Sequence, residues 1–299
     1  MLKNIIIPAS SLLNNEPDYS FVNECLVAKQ YANVHFLNID DLDQNKKILK
    51  KLSSSSNTDE DIFYHGWMLS NHQYDVLVCD LKLRGYKLTN SLEQYLSCHR
   101  FNNWYDLVKD LTPKSLMLYY SDLNSILDSI LDFKEEVKSA LIIKDAVKSL
   151  KHNWREACYI PEFASPMEIA KIVKTFLDIK KDQNDLNFPI VIRKFEKLKS
   201  IGVHEKSKMP ISHEYRTYIY NGKIISQSPY WDSILTNPPP VEFINSISDR
   251  LKGKSNLFTI DSALKENGEW ICIEIGDGQV SSLPELVDKK IFFQNLIEG

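Results

Sequence analysis

Glycine is scarce in this sequence, with nine glycines among 299 residues. Average usage of about 7% would give roughly twenty-one. Loops that hold phosphates depend on glycine, because a residue without a side chain lets the backbone approach the oxygens closely. Neither G-x-G-x-x-G nor G-x-x-x-x-G-K-[ST] occurs in the chain. The sequence therefore excludes a P-loop and a dinucleotide-binding fingerprint.

Three other features are missing as well. The five cysteines are scattered and show no C-x-x-C spacing, which favours free thiols in a reducing cytoplasm over a disulfide framework or a zinc site. No apolar run approaches the roughly 20 residues that cross a bilayer, and the first residues lack a signal-peptide pattern. We therefore expect a cytoplasmic protein without a membrane partner. The net charge of −4 gives no electrostatic footprint for nucleic acid, although it leaves room for a local basic groove.

The first third of the chain alternates apolar and polar segments. Residues 3–8 and 32–39 read as buried strands, with a helix over residues 19–31 between them. Residues 53–61 are polar and acidic, which indicates a surface loop. A helix over residues 69–85 then leads into a short strand near residue 88. This order of strands and helices predicts an α/β domain.

The rest of the chain predicts a second domain of mixed structure. Residues 121–136 form an amphipathic pattern, which we assign to a helix connecting the domains. The segment SALIIKDAVKS follows as an apolar strand that carries a lysine. Residues 166–181 form the clearest helix, with proline at its start and lysines at its end, and from Pro189 onward the pattern becomes β-rich. We place an N-terminal α/β domain in residues 1–135 and a second domain in residues 136–299.

The last predicted hairpin brings two carboxylates together. Asn267-Gly268 is the strongest short-range hairpin signal, and a loop of two residues, or of four, puts Asp261 directly across from Glu274. Like charges that face each other across a strand pair are destabilising. Mg²⁺ would remove that cost, because it binds one or two carboxylates together with substrate phosphates. The alternative is that both acids face water.

A strand that ends in lysine indicates a site for an anion. Lys144 closes an apolar run, where its ammonium must either reach water or meet an anion. Lys148 and Lys151 follow at short spacing, so that three ammonium groups can converge on phosphates. The alternative is a strand end followed by a solvated basic turn.

A second hairpin carries an acid and an arginine. The segment HEYRTYIYNGKIISQ turns at Asn221-Gly222, which places Glu214 and Arg216 on one face of its first strand. The rigid fork of arginine suits a carboxylate or a phosphate, whereas the alternative is a surface ion pair of little energetic weight. The nearby extended segment PIVIRKFEKL offers main-chain groups that could read an adenine.

Taken in this order, the segments resemble the ATP-grasp superfamily. The lysine strand, the extended segment IVIRKFEKL, the Glu-x-Arg hairpin EYRTYIYNGK and the acids in TIDSAL and ICIEIGDGQ match it in residue type and order. KDAVKS, EYRTYIYNGKIISQSPYW and EIGDGQVSSLPE are similar more narrowly to a clade of bacterial and phage ATP-grasp proteins. The resemblance covers residues 139–299, and YHGWMLS and YLSCHRFNNWY in the first domain also look like that clade.

This resemblance implies a fold and a reaction. The fold would have two α+β lobes, residues 136–192 and 193–299, that clasp ATP, after a pre-ATP-grasp-like α/β domain on the substrate side. The protein would be a ligase that uses ATP and Mg²⁺ to phosphorylate a carboxylate, after which an amine or another nucleophile displaces phosphate from the acyl phosphate. Its substrate would be a carboxylate or amine of a metabolite, peptide or protein. The alternatives are a nucleotide-binding scaffold or sensor with a degenerate site, and a kinase-like phosphotransferase on the same site.

The resemblance also implies roles for individual residues. Arg216 would meet the γ-phosphate or the acyl phosphate, with Lys148 as a second catalytic cation. Asp261 and Glu274 would hold Mg²⁺, in the larger lobe. The residues expected to bind the nucleotide are Lys144, Lys148, Ser149, Lys151, Arg193, Lys194, Phe195, Glu196, Glu214 and Arg216.

Two positions depart from the pattern of the superfamily. Residues 145–154 contain no glycine where many members have a glycine-rich loop, so that side chains such as Lys148 and His152 would cover the phosphates. The usual Glu-x-Asn metal pair reads E-I-G at residues 274–276, which makes Asp277 the candidate for the second metal ligand. We therefore expect side chains, more than bare backbone, to hold the phosphates.

Overall fold

A computed structural model describes residues 3–13, 15–44, 48–49, 52–120, 122–183 and 186–299 of the chain. The chain divides into two compact units, each built from separate stretches of sequence. Unit 1 comprises Met1–His99, Tyr215–Asp261 and Glu274–Gly299, and unit 2 comprises Arg100–Glu214 and Ser262–Ile273. This division differs from the predicted boundary after residue 135, because residues 100–135 belong to unit 2.

The N-terminal part of unit 1 is a parallel sheet with crossover helices. Its strands β1 (Asn4–Pro8), β2 (Asn33–Leu37), β3 (Glu60–Tyr64) and β4 (Tyr86–Leu88) lie in the order β2-β1-β3-β4. Each neighbouring pair is parallel, which requires the crossover connections that the helices supply. The helices are α1 (Val22–Ala28), α2 (Asp40–Asp43), α3 (Asn71–Leu83) and α4 (Leu92–His99).

Helix α3 shows how local sequence signals set a boundary. Ser70 Oγ accepts a hydrogen bond from Gln73 N, and Gln73 Oε1 accepts one from Ser70 N, which forms a capping box. Gly85 follows the helix at φ +83°, a conformation that glycine adopts without strain. The apolar face of α3, including Leu77, packs in one buried core with Ile6 and other residues of the parallel sheet. The helix predicted over residues 69–85 is therefore confirmed, with slightly narrower bounds.

Unit 2 is built on an antiparallel sheet. A short helix, α5 (Phe101–Trp104), precedes strands β5 (Ser115–Leu118), β6 (Leu141–Asp145), β7 (Tyr159–Ile160) and β8 (Ile190–Lys194), which lie in the order β5-β8-β6-β7. Helices α6 (Leu123–Val137) and α7 (Pro166–Asp182) bury their apolar faces in one core with β6 and β8. Both helices were predicted, although Ser121, at the start of the first prediction, lies outside the described residues. A hairpin of β9 (Ser200–Val203) and β10 (Pro210–Ser212) follows.

The last sheet contains both predicted hairpins. Its strands β11 (Glu214–Tyr220), β12 (Lys223–Pro229), β13 (Leu257–Leu264) and β14 (Trp270–Asp277) lie in the order β12-β11-β13-β14. Asn221 and Gly222 form the predicted two-residue loop, both at positive φ. The loop between β13 and β14 has three residues, 266–268, instead of the predicted two or four, because Lys265 N donates to Glu269 O and Gly268 N to Lys265 O. Helix α8 (Val241–Arg250) precedes β13, and α9 (Lys289–Glu298) ends the chain.

The cysteines carry free thiols, and four of the five are buried. This agrees with the expectation drawn from their spacing. Within the ranges that the structure describes, no helix is both long and apolar enough to cross a bilayer.

Candidate functional site

Lys144 lies on one face of the antiparallel sheet of unit 2, together with aromatic and basic side chains. Residues that pair across strands share a face, and Ile142 pairs with both Arg193 and Tyr159. Lys144, two residues after Ile142, therefore lies on the same face as Arg193 and Tyr159. Its side chain is buried, and its Nζ lies 5.9 Å from the centre of the Phe101 ring. This side of the sheet, which we call the Lys144 face, combines two cations with aromatic rings.

Aromatic side chains extend the Lys144 face. The Tyr159 ring stacks on Trp154 with 5.4 Å between centroids, and the Phe195 ring meets Tyr159 edge-on at 5.2 Å. The Arg193 guanidinium lies 5.6 Å from the Phe101 ring centre. Flat apolar rings next to cations are a suitable surface for a base that carries phosphates.

The loop after Lys144 is organised by a carboxylate instead of by glycine. Asp145 Oδ1 accepts hydrogen bonds from the backbone N of Val147 at 2.7 Å and of Lys148 at 2.6 Å. Its Oδ2 lies 2.8 Å from Nζ of Lys180 on α7, and both side chains are fully buried. Because Asp145 already binds these two backbone N–H groups, side chains are left to contact an anion at this point. Of the predicted phosphate-binding side chains in the loop, Lys148 is exposed, and Ser149 and Lys151 are half-buried.

The predicted adenine and ribose segment, residues 193–196, is divided between two environments. Arg193 is buried and donates from Nη1 to the Ile273 carbonyl at 2.5 Å, and its Nη2 donates to Thr112 Oγ1. Lys194 pairs with Leu141 across the sheet, which places it on the face opposite Lys144. Its Nζ lies 3.1 Å from Glu196 Oε1. The guanidinium of Arg193 therefore holds main chain in place, and Lys194 points away from the Lys144 face.

A cavity of about 460 Å³ adjoins this segment within unit 2. Its volume lies in the range of small-molecule pockets, and three of the four residues predicted to bind adenosine line it. The side chains around it alternate between ammonium and carboxylate groups. The lining residues are Val137, Lys138, Ser139, Glu162, Lys194, Phe195, Glu196, Lys197, Lys265, Glu266 and Asn267.

Arg216 and Asp261 of unit 1 bind each other. Arg216 Nε donates to Asp261 Oδ1 at 2.8 Å and Nη2 donates to Oδ2 at 2.7 Å, and both side chains are buried. Nη1 donates to the Ser282 carbonyl at 2.9 Å, and the guanidinium lies 4.8 Å from the Tyr230 ring centre. Burial alone would lower the pKa of Arg216, but the charge and hydrogen bonds of Asp261 raise that pKa well above its ordinary value. Glu214, predicted to act with Arg216, instead accepts a hydrogen bond from Ser212 Oγ in unit 2.

Asp277, the predicted second metal ligand, lies in a buried hydrogen-bond network of unit 1. Asn90 Nδ2 donates to its Oδ2 at 2.6 Å, and the backbone N of Gln279 donates to its Oδ1 at 2.9 Å. Burial raises the pKa of the Asp277 carboxyl to about 7. Both oxygens are thus engaged by protein donors, and the donor set does not fit a metal ligand at this position.

Asp261 and Glu274 lie on neighbouring strands, β13 and β14. Asp261 is buried, with its carboxylate held by Arg216, and Glu274 is half-buried. In the part of the chain that the structure describes, no group of three or more His, Cys, Asp or Glu side chains is arranged to hold a metal ion. Two carboxylates suit a cation that takes its other ligands from phosphates and water. The arrangement thus fits a metal–nucleotide complex better than a free metal ion.

The buried Asp277 should make the stability of the protein depend on pH. An unfolded aspartate titrates at about 3.9, whereas the folded carboxyl has a pKa of about 7. Between these values the folded protein keeps a proton that the unfolded chain has lost. The contribution of Asp277 to the free energy of unfolding therefore falls as the pH rises, by at most about 1.4 kcal/mol per pH unit. Urea unfolding across this range should show that slope in the wild type and not in Asp277→Asn; equal slopes would contradict the assignment.

Three residues that the sequence did not mark organise these surroundings. Asp145 and Lys180 hold the loop after Lys144, and Asn90 connects Asp277 to the Leu257 carbonyl, to which its Nδ2 donates at 2.8 Å. The sequence contains no signal for these partners, because they are far apart along the chain. Phe101 did have a signal, since it lies in the segment YLSCHRFNNWY that resembles the clade.

Comparison with protein families matches the C-terminal half of the chain. A model described as an ATP-grasp domain, family 3 of a named clade within that superfamily, matches residues 133–296, which is more than half of the chain. The search of curated proteins found no match.

Solved structures share the fold across nearly the whole chain. The D-alanine-D-alanine ligase from Coxiella burnetii has a TM-score of 0.59 at 10% identity, covering 99% of this chain and 93% of that chain. The ATP-grasp ligase PsnB, complexed with a minimal precursor, Mg and ADP, scores 0.57 at 10%, covering 98% and 97%. D-cycloserine synthetase DcsG scores 0.58 at 10%, covering 99% of each chain. These likenesses confirm the predicted fold, and with the match over residues 133–296 they establish that the chain belongs to the ATP-grasp superfamily, in the clade family that this model describes.

Proposed function

We propose that this protein is an ATP- and Mg²⁺-dependent ligase that joins a carboxylate to an amine through an acyl phosphate. The observation that carries the proposal is the Lys144 face, a buried ammonium among aromatic rings in a chain of the ATP-grasp superfamily. The similarity to PsnB, an ATP-grasp ligase complexed with Mg and ADP, supports ATP and Mg²⁺ as the cofactors. The same protein complexed with a precursor peptide supports a peptide or small molecule as the class of acceptor.

In this proposal ATP lies along the Lys144 face. The adenine packs against Tyr159 and Phe195, because these rings share the sheet face of Lys144 whereas Lys194 does not. Lys144 binds the phosphates, with Lys148, Ser149 and Lys151 closing over them from the loop that Asp145 holds. Charged side chains replace the backbone amides of a glycine-rich loop, and hydrogen bonds from ammonium to phosphate are among the stronger ones in proteins.

Asp261 and Glu274 are proposed to hold the Mg²⁺ of the nucleotide. Each oxygen of Asp261 accepts one hydrogen bond from Arg216, which leaves lone pairs on the carboxylate for a cation. Arg216 fixes the orientation of Asp261, so we assign it first as a positioning residue for the metal ligand. Bound Mg²⁺ would offset the negative charge of the transferring phosphoryl group.

The proposed reaction has two steps. An oxygen of the substrate carboxylate attacks the γ-phosphorus, the bond from that phosphorus to the β,γ-bridging oxygen breaks, and ADP leaves. The lone pair of the acceptor amine then attacks the acyl carbon, inorganic phosphate leaves, and the amine nitrogen loses a proton. The products are ADP, phosphate and an amide, which distinguishes this route from adenylation, where AMP and pyrophosphate form.

The test is ATP turnover with matched hairpin variants. Incubation with ATP, Mg²⁺ and a pool of amino acids and short peptides should release ADP and phosphate together. Glu274→Gln should lower this rate about 100-fold, the size expected when a group that stabilises transition-state charge is lost. Glu269→Gln is the control, because Glu269 lies on the same hairpin but is exposed and paired with Lys265.

Each other outcome points to a different function. Release of AMP and pyrophosphate would rule out the acyl phosphate. Transfer of labelled γ-phosphate to a stable product would indicate the kinase-like alternative, and ATP binding without turnover would indicate a scaffold or sensor. An unchanged rate in Glu274→Gln would refute the metal assignment.

A further inference from the structure

The parallel sheet of unit 1 has one position where a ligand crevice is expected. From β1 the chain crosses to β2 on one side, and β3 lies on the other side of β1. The connections that follow β1 and β3 therefore leave in opposite directions and open a crevice at the carboxyl ends of these strands. In open α/β sheets ligands bind at such a switch point. The loops that frame it are residues 9–18 after β1 and residues 65–70 after β3.

Large apolar side chains are exposed in both loops. Trp67 and Met68 after β3 are 46% and 45% exposed, and Leu12 and Leu13 after β1 are 89% and 54% exposed. Single exposed apolar residues are common on protein surfaces, but four in two loops that meet at one sheet edge are not scattered. They provide apolar area at the place where the topology predicts a ligand.

Trp67 is held outward by the turn that precedes it. Gly66 N donates to the Gln279 carbonyl at 2.9 Å, and a side chain at Gly66 would place its Cβ 2.6 Å from Pro8 Cγ. Tyr64 donates from its hydroxyl to the Trp67 carbonyl at 2.8 Å, and the Trp67 ring packs edge-on against Phe21 at 5.0 Å. The indole is therefore fixed in position before any ligand arrives, which lowers the entropic cost of binding.

The charges beside the crevice are negative. Residues 9–18 contain Glu16 and Asp18, and neither loop contains a lysine or arginine. Glu24 of α1 lies next to the second loop, with its Oε2 2.5 Å from Nε2 of His65. Carboxylates next to an apolar surface complement a ligand that combines an ammonium group with a large apolar side chain.

We propose that the carboxyl edge of β1 and β3 binds the amine that accepts the activated carboxylate, and that it selects amines bearing a large apolar side chain. The inference rests on the proposed ligase function and specifies its acceptor as an amino acid or peptide amino terminus of this kind. Trp67 and Met68 contact the apolar side chain, and the carboxylates of the first loop attract the ammonium. The segment YHGWMLS thereby gains a role that the nucleotide and metal sites do not give it.

The probe for this proposal is phenylalanine amide, which has the amine and the aromatic side chain but no carboxylate. Calorimetric titration without ATP should show binding to the wild type, at least tenfold weaker binding to Trp67→Ala, and unchanged binding to Leu83→Ala. Leu83 is the matched control because it is an exposed leucine at the end of α3, which leads into the opposite edge of the sheet. N-acetylphenylalanine amide, which lacks the ammonium, should bind at least tenfold more weakly than the amine.

The two proposals fail in different ways. Phenylalanine amide binding that depends on Trp67, without any release of ADP, would support the acceptor site and contradict the ligase. ADP release with an amine whose KM is the same in Trp67→Ala would support the ligase and contradict the acceptor site. Equal binding by the acetylated probe, or no binding of the amine by the wild type, would also overturn the acceptor site.

Discussion

Replacing Lys180 with methionine should lower the free energy of unfolding by about 3–5 kcal/mol, the cost of removing one partner of a buried ion pair. Lys180 on α7 and Asp145 at the end of β6 are 1% and 0% exposed, with Nζ and Oδ2 2.8 Å apart. Without the ammonium, Asp145 would remain as a buried carboxylate held only by hydrogen bonds from its surroundings. Urea unfolding of the wild type and the variant measures the difference.

Two further variants separate the buried pair from a general effect of removing lysine. Lys174→Met removes an ammonium from the same helix, where it pairs with Asp178 in water, and should cost less than about 1 kcal/mol. Asp145→Asn combined with Lys180→Met removes both charges and should recover part of the lost stability, because the amide oxygen can still accept from the loop. If Lys180→Met costs no more than Lys174→Met, the pair does not stabilise the fold.

The elements that the sequence predicts well are those whose signals are local. Helix α7 has proline at its first position and a capping box between Ser165 and Glu168, and the loop at Asn221-Gly222 needs the positive φ that these two residues tolerate. Strand β3, in contrast, begins inside the polar stretch that reads as a loop, since only Ile62 to Tyr64 are buried. Helices α8 and α9 lie in the region predicted as β-rich, where tertiary packing outweighs a weak periodic pattern.

The candidate site shows a similar limit. The sequence identifies which residue types are present, but the partners of each depend on contacts between distant segments. Arg216 and Asp261 lie 45 residues apart and bind each other, and Asn90 and Asp277 lie 187 residues apart. A single sequence carries no measure of such pairs. The three-residue loop after β13 adds a second reason, because loop length sets the register of a hairpin and Asn267-Gly268 alone does not determine it.

The other large effect is expected at Lys144, where methionine should weaken ATP binding about 10- to 100-fold. The ammonium is buried on its sheet face, so water screens it little, and a hydrogen bond to a charged group is worth about 1.5–3 kcal/mol. Each 1.4 kcal/mol corresponds to about a tenfold change in Kd. Calorimetric titration with ATP and Mg²⁺ measures the loss, and the same titration with adenosine should show little change, because adenosine has no phosphate for Lys144 to bind.

Two comparisons decide whether this loss belongs to the phosphate contact. Lys174→Met removes an equal charge at an exposed position of unit 2 and should leave ATP affinity within about twofold, since exposed charges are largely screened at physiological salt. Lys144→Arg keeps the charge but changes the shape of the donor, so it should retain more affinity than methionine. If Lys144→Met binds ATP as tightly as the wild type, or loses adenosine affinity equally, the phosphates do not lie against Lys144. The Lys144 face would then not be the nucleotide site.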